Sequence, residues 1–295
     1  MENTLYIGDY AYSSWSLRGW LLFEAFGIAR SQVMIPFSAD ETVGDQITAL
    51  AYPARTVPTV SFADGAIASD SLSIAEELAT RYPDASIWPR DPVQRARARS
   101  LAGEMHSGFS RLRSVCPMNV RKSYVDVPVD EELARDLARL DTIWAEALDA
   151  SSGPWLCGAY SAADAFFAPV AARVAGFSLP VAPRSMDYVG RHLEDPAFRR
   201  WRAMGLVHGE TLPWYAQDLD TRDWPGPPPR PAKATEHGPA RNAHCPYSGK
   251  PVTHFLEMDG DVWGFCNAFC RDKTVADPEV WPQFIDMVTD LTASA

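Results

Sequence analysis

Ser13-Ser14-Trp15-Ser16 stands between an apolar β-type stretch, Leu5-Tyr6-Ile7-Gly8, and an amphipathic run from Leu17 to Phe26. Hydroxyls at a strand-to-helix junction suit a thiolate or another anion. The free N–H groups of a first helical turn attract negative charge, and a serine O–H there adds one directed hydrogen bond. Two further stations follow: Val57-Pro58-Thr59 ahead of a strand, and Asp70-Ser71 opening a helix. Pro58 lacks the N–H that an interior ladder position needs, and a cis Val57–Pro58 bond would leave the Val57 backbone free to pair with an extended ligand. Ser71 with its backbone N–H suits a ligand carboxylate, and Asp70 suits an ammonium. A γ-glutamyl group carries both. Each station alone is also an ordinary helix cap or strand start; their order and separation favour one small-molecule site.

The elements that must position these stations begin with a strand at 4–8, a helix at 15–27 and a strand at 33–37. Strands at 59–62 and 66–68 then flank the tight turn Asp64-Gly65, and a helix at 70–81 is capped by Asp70 or Ser71. βαβ followed by ββα within residues 1–83 is the order of a thioredoxin-like α/β domain. Residues 90–218 read as an all-α domain, with helices at 91–114, 130–150 and 162–175. Asp130, Glu131 and Glu132 sit where the helix dipole favours acids, and Ser161 with Asp164 resembles a capping box. The helix that this box opens is apolar nearly all round, as a buried central helix is. Residues 219–243, with Pro225, Pro227, Pro228, Pro229, Pro231 and Pro239, read as an extended linker that cannot be helix or central strand. Residues 244–295 are a third unit.

The 295 residues are enough for two domains and a small module, and a hydrophobic share of 46% supplies their cores. A net charge of −11 argues against nucleic acid or a membrane surface as the partner. Nowhere does an apolar run approach the ~20 residues of a membrane helix. The chain enters its first strand without a signal-type segment, and five cysteines, an odd number, read as reduced thiols or metal ligands. A cytoplasmic protein is expected.

Over about residues 3–216 the chain resembles the glutathione transferase family. The resemblance is carried by Tyr12-Ser13-Ser14-Trp15-Ser16-Leu17-Arg18, by Glu104-Met105-His106-Ser107-Gly108-Phe109, and by Leu112-Arg113 and Pro117-Met118-Asn119 with Arg121. These are marks of a bacterial group that is similar to the zeta class, whose motif is Ser-Ser-Cys; Trp15 stands at the cysteine. The resemblance implies a homodimer with glutathione as co-substrate and Ser13 as the thiol-activating residue, Ser14 being its neighbour and rival. In the proline loop, Pro53-Ala54-Arg55-Thr56-Val57-Pro58, Thr56 replaces the family's basic residue, so that contact is either missing or supplied by Arg55. Ser13, Arg55, Val57, Pro58, Asp70 and Ser71 then bind glutathione. Tyr12, Trp15, His106, Phe109 and Arg113 line the cleft for a small electrophile, with Met105 and Phe109 better suited to the core than to direct contact and His106 and Arg113 the stronger candidates. Lowering a thiol pKa of ~8.5 by two units needs only ~2.7 kcal/mol, within reach of one serine hydrogen bond and a helix N-terminus. Two other functions stay open. One is a non-catalytic glutathione-binding scaffold whose metal module docks a partner or senses metal. The other is a zeta-like isomerase in which Arg18 and Arg113 help hold a dicarboxylate.

Cys245 is followed by twenty residues and then by Cys266-Asn267-Ala268-Phe269-Cys270. A pair at i and i+4 brings two sulfurs to one face of a helical turn, close enough for one metal. Cys245 lies in a knuckle-type turn, and 255–258 with 262–265 read as a hairpin about Asp259-Gly260-Asp261. Knuckle, hairpin and helix make a treble-clef-like plan, similar to the YHS/TRASH metal-binding modules with their Cys-x(19–22)-Cys-x3-Cys pattern. Thiolate-rich ligation favours structural Zn²⁺, and some 50 residues rarely hold together without such a staple. His244 and His254 are the candidates for a fourth ligand. Four Lys/Arg against eight Asp/Glu over residues 240–295 argue against a nucleic-acid finger. Cys116 and Cys157 read as small apolar packing residues.

Overall fold

The computed structural model describes residues 2–38 and 40–293. Its first domain runs β1 (Thr4–Ile7), α1 (Ser14–Glu24), β2 (Ser31–Met34), α2 (Val43–Ala51), β3 (Thr59–Ser61), β4 (Ile67–Ser69) and α3 (Ser71–Arg81). The sheet order is β2-β1-β3-β4, with β1 parallel to β2 and antiparallel to β3. This is the thioredoxin-like order expected from the sequence. Helix α2 was not anticipated. It is capped by Thr42, and its Ile47 and Ala51 cover Tyr6, Ile35 and Ala54 on one face of the sheet. α1 ends at Glu24 rather than at residue 27 because Gly27 takes a left-handed φ of 65°, which turns the chain into β2.

The helical domain holds α4 (Pro92–Ser107), α5 (Ser110–Val115), β5 (Ser123–Tyr124), α6 (Glu131–Asp149), α7 (Ala162–Gly176), α8 (Pro183–Glu194) and α9 (Pro196–Val207). The single helix expected over 91–114 is two helices. Phe109 adopts φ 53°, and the Arg113 guanidinium donates to the carbonyls of His106 and Gly108, groups that the break leaves without helical partners. Helix α7 is buried along its whole length and packs on α1, α4 and α8. Its Ser161–Asp164 capping box is reciprocal.

Beyond α9 the chain forms β6 (Thr221–Arg222), β7 (Lys233–Thr235), β8 (His254–Met258), β9 (Asp261–Phe265), α10 (Ala268–Ala276) and α11 (Pro282–Ala293). The segment expected as a plain linker is tied at both ends. β6 pairs with β5 of the helical domain, and β7 is an edge strand of the sheet β7-β8-β9, a place where neighbouring prolines do little harm. Arg202 of α9 stacks over Trp224 between them, 4.6 Å from the ring centre. The cysteine module is not a pendant either. Arg199 of α9 makes two 2.8 Å hydrogen bonds to Asp277, while Arg200 pairs with Glu24 of α1 at 2.9 Å and donates to the Val280 carbonyl. His208 packs edge-on against both Phe269 of the module and Tyr10 of the first domain. Among the described residues no helix is long and apolar enough to cross a membrane.

Candidate active site and cysteine centre

A cavity of about 550 Å³ opens between the first two domains. Of the residues expected to act there, Tyr12, Ser13, Ser14, Trp15, Arg55, Val57 and Arg113 line it. The approach to it is tightly built. β1 is followed by Gly8, where a Cβ would stand 2.4 Å from the Phe37 ring, and the Gly8 N–H donates to Ser16 Oγ at 2.8 Å. Tyr12 and Ser13 N–H groups then turn back onto the Asp9 carbonyl. α1 lies so close to the proline loop that a Cβ on Gly19 would meet Pro58 at 2.6 Å. The Val57–Pro58 peptide is cis, and Val57 faces the cavity.

The two serines have different surroundings. Ser13 is the N-cap of α1: its Oγ accepts the Ser16 N–H at 3.3 Å, and its own O–H goes to Ser16 Oγ at 2.8 Å. Ser14 Oγ accepts one contact, from Arg173 Nη2 at 3.4 Å. Tyr12 is fixed by the Leu212 N–H on its hydroxyl and by stacking on Tyr215 at 4.5 Å.

Pro58, Asp70, Ser71, His106 and Phe109 lie outside the cavity lining. Asp70 caps α3 with its Oδ1 on the Leu72 N–H, from a backbone at φ 78° that non-glycine residues seldom adopt and that tends to mark functional sites. Ser71 is fully buried, and its Oγ has no partner among the described residues. His106 turns to Asp70, Nε2 to Oδ2 at 3.5 Å, instead of toward the electrophile cleft. Phe109 and Met105 are core, the former directed there by its left-handed backbone. Arg121 of the quoted motif closes the end of α9 by donating to the carbonyls of Gly205, His208, Gly209 and Glu210.

Phe37, Val43, Thr56, Pro117, Met118, Arg173 and Tyr215 complete the lining, and no carboxylate is among them. Arg173, in the last turn of a helix that is apolar but for it and Asp164, was the signal in the sequence that could have been read. A buried arginine in such a setting needs a reason. Arg18 and Arg113 both approach the Trp15 ring, at 5.0 and 4.4 Å from its centre. Burial first, then the charges of Arg173 and Arg113, pushes the Arg18 guanidinium down to about 9, and burial takes Arg173 to about 10. Both stay cationic at neutral pH. Among the described residues, no ion pair engages Arg18, Arg55, Arg113 or Arg173. An acidic protein has gathered Arg55, Arg113 and Arg173 in one cleft whose lining holds no carboxylate.

In the module, the sulfurs of Cys245, Cys266 and Cys270 lie within 4.8 Å of one another. Cys266 and Cys270 are 3.9 Å apart, near the edge of about 3.8 Å that a tetrahedron with 2.3 Å Zn–S bonds requires. Cys266 stands just before the α10 N-cap Asn267, not within the helix as the i, i+4 spacing suggested, and it accepts hydrogen bonds from Ser248 Oγ and Asn267 Nδ2. Burial works to raise the Cys245 thiol, but backbone N–H groups and Ser248 bring it down to about 7. His244 and His254 correct the expectation: neither joins the group, His244 being exposed and His254 Nδ1 hydrogen-bonded to Thr253 Oγ1 at 2.9 Å. Cys116 and Cys157 are buried, and burial pushes both thiols up to about 12, so neither is a nucleophile.

Residues 12–81 match the family described as glutathione S-transferase, N-terminal domain. A probable maleylacetoacetate isomerase of Caenorhabditis elegans is 38% identical over 63 residues, which is 21% of this chain and 29% of that relative's length. Three solved structures share the fold. A glutathione transferase homologue from Burkholderia gl BGR1, with bound glutathione, is 23% identical over 68% of this chain and 96% of its own, at a TM-score of 0.53. A homologue from Sulfitobacter, also with bound glutathione, is 18% identical over 70% of this chain and 99% of its own, at 0.53. Glutathione transferase Omega 1C of Trametes versicolor is 16% identical over 68% of this chain and 90% of its own, at 0.54. Residues 12–81 of this chain are therefore similar to a glutathione S-transferase N-terminal domain, and the chain shares the fold of these glutathione transferase structures.

Proposed function

We propose that the chain is a glutathione transferase that activates the glutathione thiol at the N-terminus of α1 and delivers it to an anionic electrophile. The observation that carries this is the cavity itself: hydroxyls at a helix N-terminus, the Val57 backbone opposite, and three arginines without a carboxylate among its walls. Ser71, whose buried Oγ lacks a partner among the described residues, suits the γ-glutamyl carboxylate, and Asp70 suits the ammonium. The thiolate forms a bond to an electrophilic carbon, whose displaced electron pair leaves with a leaving group or is protonated from water. Arg113 would hold the carboxylate of that second substrate. Calorimetric titration with glutathione, followed by turnover of matched electrophiles with and without a carboxylate, tests the reading. Absence of glutathione binding would falsify it.

A second reading is a zeta-like glutathione-dependent isomerase of a dicarboxylate. The 38% identity over 63 residues and the arginines favour it, and Trp15 at the cysteine position speaks against it. The expected homodimer is tested by sedimentation.

The module is proposed to bind one structural Zn²⁺ through Cys245, Cys266 and Cys270. The metal would neutralise three sulfurs that crowd one another and would tie knuckle to helix. Metal analysis of the purified chain showing no zinc would remove this part of the proposal and leave the first part standing.

A further inference from the structure

Resting on the reading that the cavity takes glutathione, we infer that Ser14, backed by Arg173, and not Ser13, holds the glutathione sulfur as a thiolate. The two hydroxyls differ in what they already do. Ser13 accepts from the Ser16 N–H and gives its proton to Ser16 Oγ, so both of its capacities are spent on starting α1. Ser14 only accepts, from Arg173, and its O–H has no acceptor among the described residues. A hydroxyl has one proton to donate, and of the two serines at the cavity wall only Ser14 still has its own available.

Arg173 reaches this point from α7 and is held there. Its Nε donates to the Cys116 carbonyl at 2.8 Å and its Nη1 to the Pro169 carbonyl at 3.1 Å, which leaves Nη2 toward Ser14. It is 5% exposed and has no carboxylate partner among the described residues, so its charge acts on the Ser14 side of the cavity with little screening. Donation into a Ser14 lone pair also polarises the Ser14 O–H toward a negative acceptor. The S–H bond breaks with its electron pair kept on sulfur, and the proton leaves to bulk water. Ser14 then donates a hydrogen bond to the sulfur without transferring its own proton. Ser14 is the catalytic residue; Arg173 is a positioning residue that acts through it and through its charge.

The experiment follows the ultraviolet absorption of bound thiolate against pH in the full-length chain saturated with glutathione. Ser14→Ala is expected to raise the bound thiol pKa by about one to two units, which is about 10- to 100-fold less thiolate at a pH below both values. Arg173→Met is expected to raise it by about one unit, with Arg173→Lys restoring most of the loss. Ser13→Ala should lower the melting temperature and shift the thiol less than Ser14→Ala does. If Arg173→Met fails to fold, Ser14→Ala and Arg173→Lys still decide. A larger shift in Ser13→Ala than in Ser14→Ala overturns the assignment, as does a depressed wild-type pKa that Ser14→Ala leaves in place. A wild-type chain that shows no bound thiolate at all overturns the glutathione reading as well.

Discussion

Two helices of this chain start beside a sulfur site, and they are built in opposite ways. α1 opens on Ser13 and Ser14 toward a cavity where, as proposed, the sulfur comes with a ligand. α10 opens on Asn267 between Cys266 and Cys270, where the sulfurs belong to the chain. The first site gathers its hydroxyls, arginines and aromatic walls from residues 12 to 215, held in place by tertiary packing. The second draws all three sulfurs from residues 245 to 270, and local turns do the positioning. A site for a transient sulfur needs a pre-formed cavity and spare charge. A site for resident sulfurs needs only that they meet.

The comparison predicts unequal dependence on metal. Chelation of zinc, or Cys270→Ser, is expected to have the largest effect on stability, lowering the module's thermal transition by about 10 °C or more. Calorimetry with parallel metal analysis reads this. A transition indifferent to chelator would mean that packing on α9, and not a metal, holds the module.

The same contrast explains how much could be read in advance. Cys-x20-Cys-x3-Cys is a local pattern, so knuckle, hairpin and helix were legible in the sequence. Which groups meet the sulfurs was not: backbone turns direct His244 and His254 elsewhere, and Asn267 and Ser248 approach Cys266 instead. At the cleft, Ser13-Ser14, Val57-Pro58 and Asp70-Ser71 were legible as stations because each sits at an element boundary with its own residue signature. Arg173 was not, since only the packing of α7 on α1 brings together side chains 159 positions apart. Phe109 and His106 were misplaced for a local reason. Their shared helical face assumed one helix over 91–114, and the left-handed turn at Phe109 ends it.

A smaller effect tests whether the two regions are mechanically joined. Arg199→Met leaves Asp277 buried without its cation, at a cost of about 3 kcal/mol. The pair lies between α9 and the module, so chemical denaturation should show the loss while the glutathione affinity changes by less than about threefold (about 0.7 kcal/mol). A large loss of affinity would show that the module braces the cleft, through His208 and Tyr10.

Acid offers a third comparison, because the helical domain that supports the cleft has its own titrating group. His192 is buried beside Trp155 and Tyr188 with Nε2 unpartnered, and burial pushes it down to about 3. The unfolded chain takes up this proton first, near pH 6.5, so the stability present above that value is lost as pH falls toward 3. Asp164, which burial pushes up to about 6, works the other way below that pH. It does so with and without His192 and drops out of a difference. Between pH 6.5 and 5, the wild type should therefore lose about 2 kcal/mol relative to His192→Phe. Parallel pH-dependent urea titrations of the two proteins measure it. Coincident slopes would show that His192 is protonated in the folded state.

The smallest effect concerns the two caps. Ser13→Ala and Asn267→Ala each remove a side-chain acceptor from a helix start, and each should cost about 1 kcal/mol. Their consequences should then part. Ser13 has no free donor for a ligand, so its loss is felt as stability alone, beyond a minor shift in the bound thiol. Asn267 also gives its Nδ2–H to Cys266 at 3.4 Å, so its loss removes a hydrogen bond to a sulfur as well as a cap. Asn267→Ala is expected to raise the apparent zinc dissociation constant about 3- to 10-fold, in the manner of lost outer-shell partners. Competition with a chromogenic chelator measures this. Equal zinc affinity in the two proteins would reduce Asn267 to a cap and make the two helix starts alike.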